Sequence, residues 1–211
     1  MSTMVAVRRS RSRRPPVADS PLRTFARFVF YLGLGTFIGL GSAWYVLDNG
    51  ISLDRVVIGQ WVLRTDAGQP VADPYTSAYI ARSGHIPLRL EGAMYLLATE
   101  ASDGSPLSGR CTYVVAGPAL SGAWWSISLY DPEGSLVANQ AERYSFSSTT
   151  LHFDDAGGYR ITVAPDARAG NWLPSGDGPF VLMLRVHGPD PDYVKAPATV
   201  PAPAIETESC R

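Results

Sequence analysis

Residues 123–131 read Ala-Trp-Trp-Ser-Ile-Ser-Leu-Tyr-Asp and change character at every step. In an extended chain Trp125, Ile127 and Leu129 fall on one side, and Trp124, Ser126, Ser128 and Tyr130 on the other. This is the pattern of a strand with one face on a core. The same period recurs at 180–187, where Phe180, Leu182, Leu184 and Val186 oppose Val181, Met183, Arg185 and His187. Shorter strand-like runs lie at 93–101, 110–116, 135–138, 144–146, 151–153 and 159–163. Turn-formers separate them: Ser102-Asp103-Gly104-Ser105-Pro106, Pro132-Glu133-Gly134 and Asp154-Asp155-Ala156-Gly157-Gly158. So many short strands predict a mainly β domain over 65–188, an antiparallel β-sandwich or jelly-roll-like fold. No strand–helix alternation calls for a parallel sheet. One short helix is expected before the strands: Asp73 caps it, Pro74 opens it, Tyr75, Ala78, Tyr79 and Arg82 share a face, and Gly84 ends it.

Upstream, residues 28–47 carry no charged side chain, and Arg27 and Asp48 bound them. A helix rises about 1.5 Å per residue, so this span is long enough for a hydrocarbon layer of roughly 30 Å. Phe30 and Tyr31 near one end and Trp44 and Tyr45 near the other suit the two interfaces. The reading is a retained transmembrane anchor. Its rival is a removed signal peptide, since Gly41-Ser42-Ala43 resembles a cleavage site; bulky Trp44 beyond the cut argues against it. Gly35 and Gly39 form a GxxxG spacing, which permits helix pairing and a homodimer, and which Gly-rich spans also show by chance. Residues 48–64 read as a juxtamembrane connector, apolar enough to dock on the domain. Residues 189–211 read as a Pro-rich C-terminal segment lying over its surface.

Charge is segregated. Residues 1–27 hold seven Arg and one acid, Asp19; residues 48–211 hold ten Arg, Lys195 and eighteen acids. The basic tail, with RRSRSRR at 8–14, is expected to stay cytoplasmic beside the inner membrane and to favour anionic headgroups. It lacks the aromatic or folded surface of a nucleic-acid arm, and Arg13-Arg14-Pro15-Pro16 fits a twin-arginine signal poorly. The domain is then periplasmic. Two cysteines fit one disulfide in an oxidising space and two free thiols elsewhere. With the domain outside, a Cys111–Cys210 bond is expected, closing a loop of about 100 residues. Neither a CxxC nor a His near either Cys is present, so no zinc site and no cofactor are expected.

Several separated blocks occur in order: residues 124–131; Gly134, Leu136 and Asn139; Arg143-Tyr144-Ser145; Asn171-Trp172-Leu173-Pro174; and Leu184-Arg185. Over about residues 58–211 this resembles the bacterial family called domain of unknown function 1214. Asp73-Pro74-Tyr75 and the C-terminal Cys fit its short, membrane-anchored branch. The resemblance implies a β-rich envelope domain without a settled activity. In longer relatives it follows the domain of unknown function 1254, which this chain lacks.

Six residues are candidates for ligand binding: Trp124, Asp131, Arg143, Asn171, Trp172 and Arg185. The Trp rings would stack on a sugar or flat ligand, Asn171 would hydrogen-bond it, and the carboxylate and guanidinium groups would hold its polar atoms. Each also has a structural reading as core packing, a pinned loop or an Arg–carboxylate pair that fixes a turn. No nucleophile turn of the GxSxG kind is present. The preferred function is a non-catalytic binding or accessory module of the cell envelope, with a glycan or a protein as partner. The alternative is a periplasmic carbohydrate-binding or carbohydrate-acting enzyme using Trp124, Trp172 and carboxylates such as Asp131 or Glu142.

Overall fold

The computed structural model describes residues 20–48, 54–70, 72–83 and 87–211. The basic cluster at 8–14 and the helix-ending Gly84 lie outside them. The chain divides into two units, Met1–Tyr45 and Val46–Arg211. In the first, helix α1 starts at Pro21 and continues to Asp48, longer at its start than the uncharged span. Its described side chains include none that is buried, and it is long and apolar enough to cross a membrane. At Gly35 and Gly39 nothing stands within 4 Å of where a Cβ would be.

The second unit is two packed sheets. The first has six strands in the order β1 (Arg55–Ile58), β2 (Trp61–Arg64), β3 (Ala93–Ala98), β9 (Val181–Pro189), β5 (Gly122–Tyr130) and β6 (Ser145–Ser147), all antiparallel. The second has β10 (Ala204–Cys210), β4 (Cys111–Pro118), β7 (Gly158–Ala164) and β8 (Trp172–Pro174). Here one pair, β7 with β8, is parallel, so this sheet is mixed.

Alternation explains the layering. Trp125, Ile127 and Leu129 are buried, as are Leu182, Leu184 and Val186, Met94 and Leu96, and Trp61 and Leu63. They meet Tyr113, Val115, Ile161, Val163, Leu173 and Ile205 from the other sheet. Each fully buried side chain of this size contributes about 1.5–3 kcal/mol, which holds the layers together.

The stretch expected to be a connector enters the sheet from Arg55 onward; residues 49–53 lie outside the described residues. Gly59 and Gln60 close the β1–β2 hairpin, and Gly59 has the positive φ (+58°) that tight hairpin turns need. Helix α2 (Pro74–Ser83) begins where Asp73 accepts hydrogen bonds from the backbone N–H of Tyr75 (2.8 Å) and Thr76 (3.1 Å). The Pro-rich C-terminal segment holds a short helix, α3 (Pro191–Lys195), and then β10. Cys210 faces Cys111 across the β10–β4 ladder, and the two are joined by a disulfide.

Candidate functional site

The side of the six-stranded sheet turned away from the core carries most of the chemistry. Its rows follow from register. Met183 sits between Ser128 and Leu97, and Leu97 is next to Val62. One step along, Arg185 sits between Ser126 and Tyr95. At the other side Val181 is opposite Tyr130. This face holds two hollows, of about 670 and 330 Å³. Both are lined by Arg64, Tyr79, Leu97, Met183 and Arg185, so they are arms of one groove. Tyr79 comes from α2.

The floor is apolar: Val62, Leu97, Val181 and Met183. The groove's charged groups are Arg55, Arg64, Arg82 and Arg185, with the acids Asp48, Asp131 and Glu133. Arg185 is half-buried; its Nη2 donates to Tyr130 Oη (2.6 Å), and its guanidinium lies 5.3 Å from that ring's centre. Among the described residues no carboxylate pairs with it. Arg64 lies over the Tyr79 ring at 4.1 Å. Arg55 stands directly opposite Arg64 in the β1–β2 ladder, and like charges so placed are destabilising. Arg82 pairs with Asp48 (3.0 Å) within the same unit. Asp131 and Glu133 line the larger arm only. Asp131 Oδ1 is engaged by the Ser135 N–H (2.7 Å), which closes the 131–135 turn. Among the described residues no His, Ser or Cys lines either arm.

The six candidate residues do not form one cluster. Asp131 and Arg185 line the groove. Trp124 is on the same sheet face, at its far end, packed on His187 at 5.4 Å, and lines neither arm. Arg143, Asn171 and Trp172 lie elsewhere and are held by the fold. Asn171 is buried; it accepts the His152 N–H (2.9 Å) and donates to His152 O (2.9 Å) and Arg160 O (3.0 Å). Trp172 Nε1 donates to Ala164 O (3.0 Å). Arg143 donates to Trp172 O (3.0 Å) and lies 5.8 Å over its ring. Asn139 fixes the loop before it, bonding Val137 O and both the O and N–H of Arg143.

Arg55, Arg64, Tyr95 and Leu97 were not among the candidates. The signal was present: Arg55 and Arg64 flank a symmetric run, RVVI-GQ-WVLR, whose two-residue link makes them ladder partners.

One acidic pair lies at the foot of α2. Asp66 is 7% exposed. Burial pushes its carboxyl up from the ordinary value, and neighbouring Asp73 adds to the shift. Asp73 goes down, held by the Thr76 hydroxyl and by the N–H groups it caps. The raised group stabilises the fold fully below its unfolded pKa, near 3.9, and that contribution is lost as pH rises through its folded value. Asp66→Asn removes the cost of a buried charge. It is expected to add about 1 kcal/mol at pH 7, with the gain fading towards pH ~4. Thermal melts across that range check this; a loss of stability at neutral pH would show that Asp66 is a satisfied carboxylate.

Residues 92–191 match the family model described as Protein of unknown function (DUF1214). This segment is similar to the DUF1214 family. It supplies Tyr95, Leu97, Tyr130, Asp131, Met183 and Arg185 to the groove, while Arg55, Arg64 and Tyr79 precede it. The crystal structure of the VPA0106 protein from Vibrio parahaemolyticus is similar over 92% of this chain, with a TM-score of 0.59 and 21% identity. That likeness is one of fold, and the chain spans about half (48%) of the Vibrio chain. A putative uncharacterized protein from Burkholderia cenocepacia aligns over 55% of this chain and 28% of its own, with 18% identity and a TM-score of 0.34. A comparison with curated proteins finds no significant match.

Proposed function

We propose that the protein is a non-catalytic binding module of the bacterial envelope. It is anchored in the inner membrane by α1 with its N-terminus in the cytoplasm, and its DUF1214-containing β domain is periplasmic. The basic tail beside α1 supports the orientation, and the Cys111–Cys210 bond supports an oxidising space. The groove on the outer sheet face is its binding surface. The observation that carries this is the half-buried Arg185, set on an apolar floor within a hollow of ligand size and lacking a carboxylate partner among the described residues. The carbohydrate-acting alternative has less support: of Trp124, Trp172 and Asp131, the groove is lined by Asp131 alone.

Leu97→Trp tests the surface, since it fills the floor at the point where the two arms meet. Native mass spectrometry of the full chain extracted from its own membranes should show a bound small molecule that this variant loses while keeping the wild-type melting temperature. An adduct retained at wild-type occupancy would place binding elsewhere.

A further inference from the structure

The groove's charges are not evenly spread, and their placement selects a ligand chemistry. The inference rests on the groove being the binding surface. The smaller arm is lined by Ala67, Ile80, Pro87, Tyr95, Leu97 and Met183, with Tyr79, and among the described residues its charged groups are Arg64 and Arg185. The acids Asp48, Asp131 and Glu133 line the larger arm and not the smaller one. An anion is therefore favoured where the arms join and is repelled from the Asp131 end. An apolar group extending from it would run into the smaller arm, against the Tyr95 ring and Ile80.

We propose that the groove binds an amphipathic anion: a phosphate or carboxylate head held between Arg64 and Arg185, with a single apolar tail in the smaller arm. A guanidinium meets such a head with two parallel N–H donors. Arg185 has one Nη engaged by Tyr130 Oη, a neutral partner that orients it without cancelling its charge. Leu97 and Met183, adjacent across β3 and β9, form the floor under the tail's first carbons.

The test uses the full chain in nanodiscs of neutral phosphatidylcholine, titrated calorimetrically with octyl phosphate against empty discs. Saturable binding at one per chain is expected. Octanoate should also bind, while inorganic phosphate and octyl glucoside, each with half the chemistry, should bind about tenfold more weakly or worse. Arg185→Gln should weaken octyl phosphate by about tenfold or more, the loss of one charge-assisted hydrogen bond. Arg64→Gln gives a second reading should the first variant melt early. Discs containing phosphatidylglycerol separate the sources. Competition with octyl phosphate marks a bilayer lipid as the anion, its absence marks a soluble amphiphile, and both support the proposal. Octyl glucoside binding as tightly as octyl phosphate and lost in Leu97→Trp would overturn the anion and keep the groove. No saturable octyl phosphate binding, or binding untouched by both Arg variants, would also overturn the proposal.

Discussion

Trp61→Ala is expected to destabilise the domain by about 3–5 kcal/mol, the cost of emptying a fully buried indole. Trp61 is 0% exposed, and its Nε1 donates to Pro203 O at 2.7 Å. One side chain thus packs β2 into the core and fixes the strand-entry point of β10, in the other sheet. Trp61→Phe separates the two roles. It keeps most of the apolar area but leaves a carbonyl unsatisfied, so a loss of about 1–3 kcal/mol is expected. Denaturant melts of the three proteins decide the matter. A Trp61→Ala melt within about 0.5 kcal/mol of wild type would mean that residues 55–64 are an appendage and not part of the sheet.

The second large effect belongs to the disulfide. Replacing both Cys111 and Cys210 by Ser is expected to cost about 2–5 kcal/mol and to lower the melting temperature by roughly 5–15 °C. The bond closes a loop spanning 99 residues, so it removes much freedom from the unfolded chain. It also fastens an edge strand. Among the described strands β10 pairs with β4 alone, and Glu206 and Glu208 add little burial to hold it. Amide exchange should therefore accelerate first along 204–210 in the Ser variant. Because Cys210 is exposed, reductant should reproduce the effect without prior unfolding. A reduced protein melting at the oxidised temperature would contradict this account of the C-terminal strand.

The strands with clean alternation were legible from sequence, and for one reason. At 93–98 and 181–189 the core face is buried and the other face largely half-buried, and at 122–130 Ser126 and Ser128 are buried too but stay polar, so period two is written into the residues. β8 was hidden because three residues, Trp172–Pro174, are too short to show a period; its Trp reads as a loop anchor and turns out to be both anchor and strand. β10 was hidden by the prolines ahead of it, although Ile205 is fully buried between exposed neighbours. β1 and β2 were masked by position, since an apolar run beside a membrane span reads as a connector.

The site was legible only in part. Arg185 and Asp131 were picked out by residue type, and they do share the groove. Arg143, Asn171 and Trp172 share those residue types, yet each is engaged by the backbone: Arg143 by Trp172 O, Asn171 by His152 and Arg160, Trp172 by Ala164 O. Residue type cannot separate these cases, because an Arg that fixes a loop and an Arg that awaits a ligand are the same letter. What separates them is the partner. Arg143 has Trp172 O and two rings, whereas Arg185 has one phenol and open space. Arg64 needed the register of a hairpin before its position opposite Arg55 could be seen.

The proposed topology puts the negatively charged β domain on the outer side of a membrane crossed by α1. A phosphatase active only after export, fused behind Arg211 and produced in a Gram-negative host, tests it directly. The account predicts a membrane-bound fusion with full phosphatase activity. A fusion equally abundant in the membrane fraction but inactive would put the domain in the cytoplasm and contradict it.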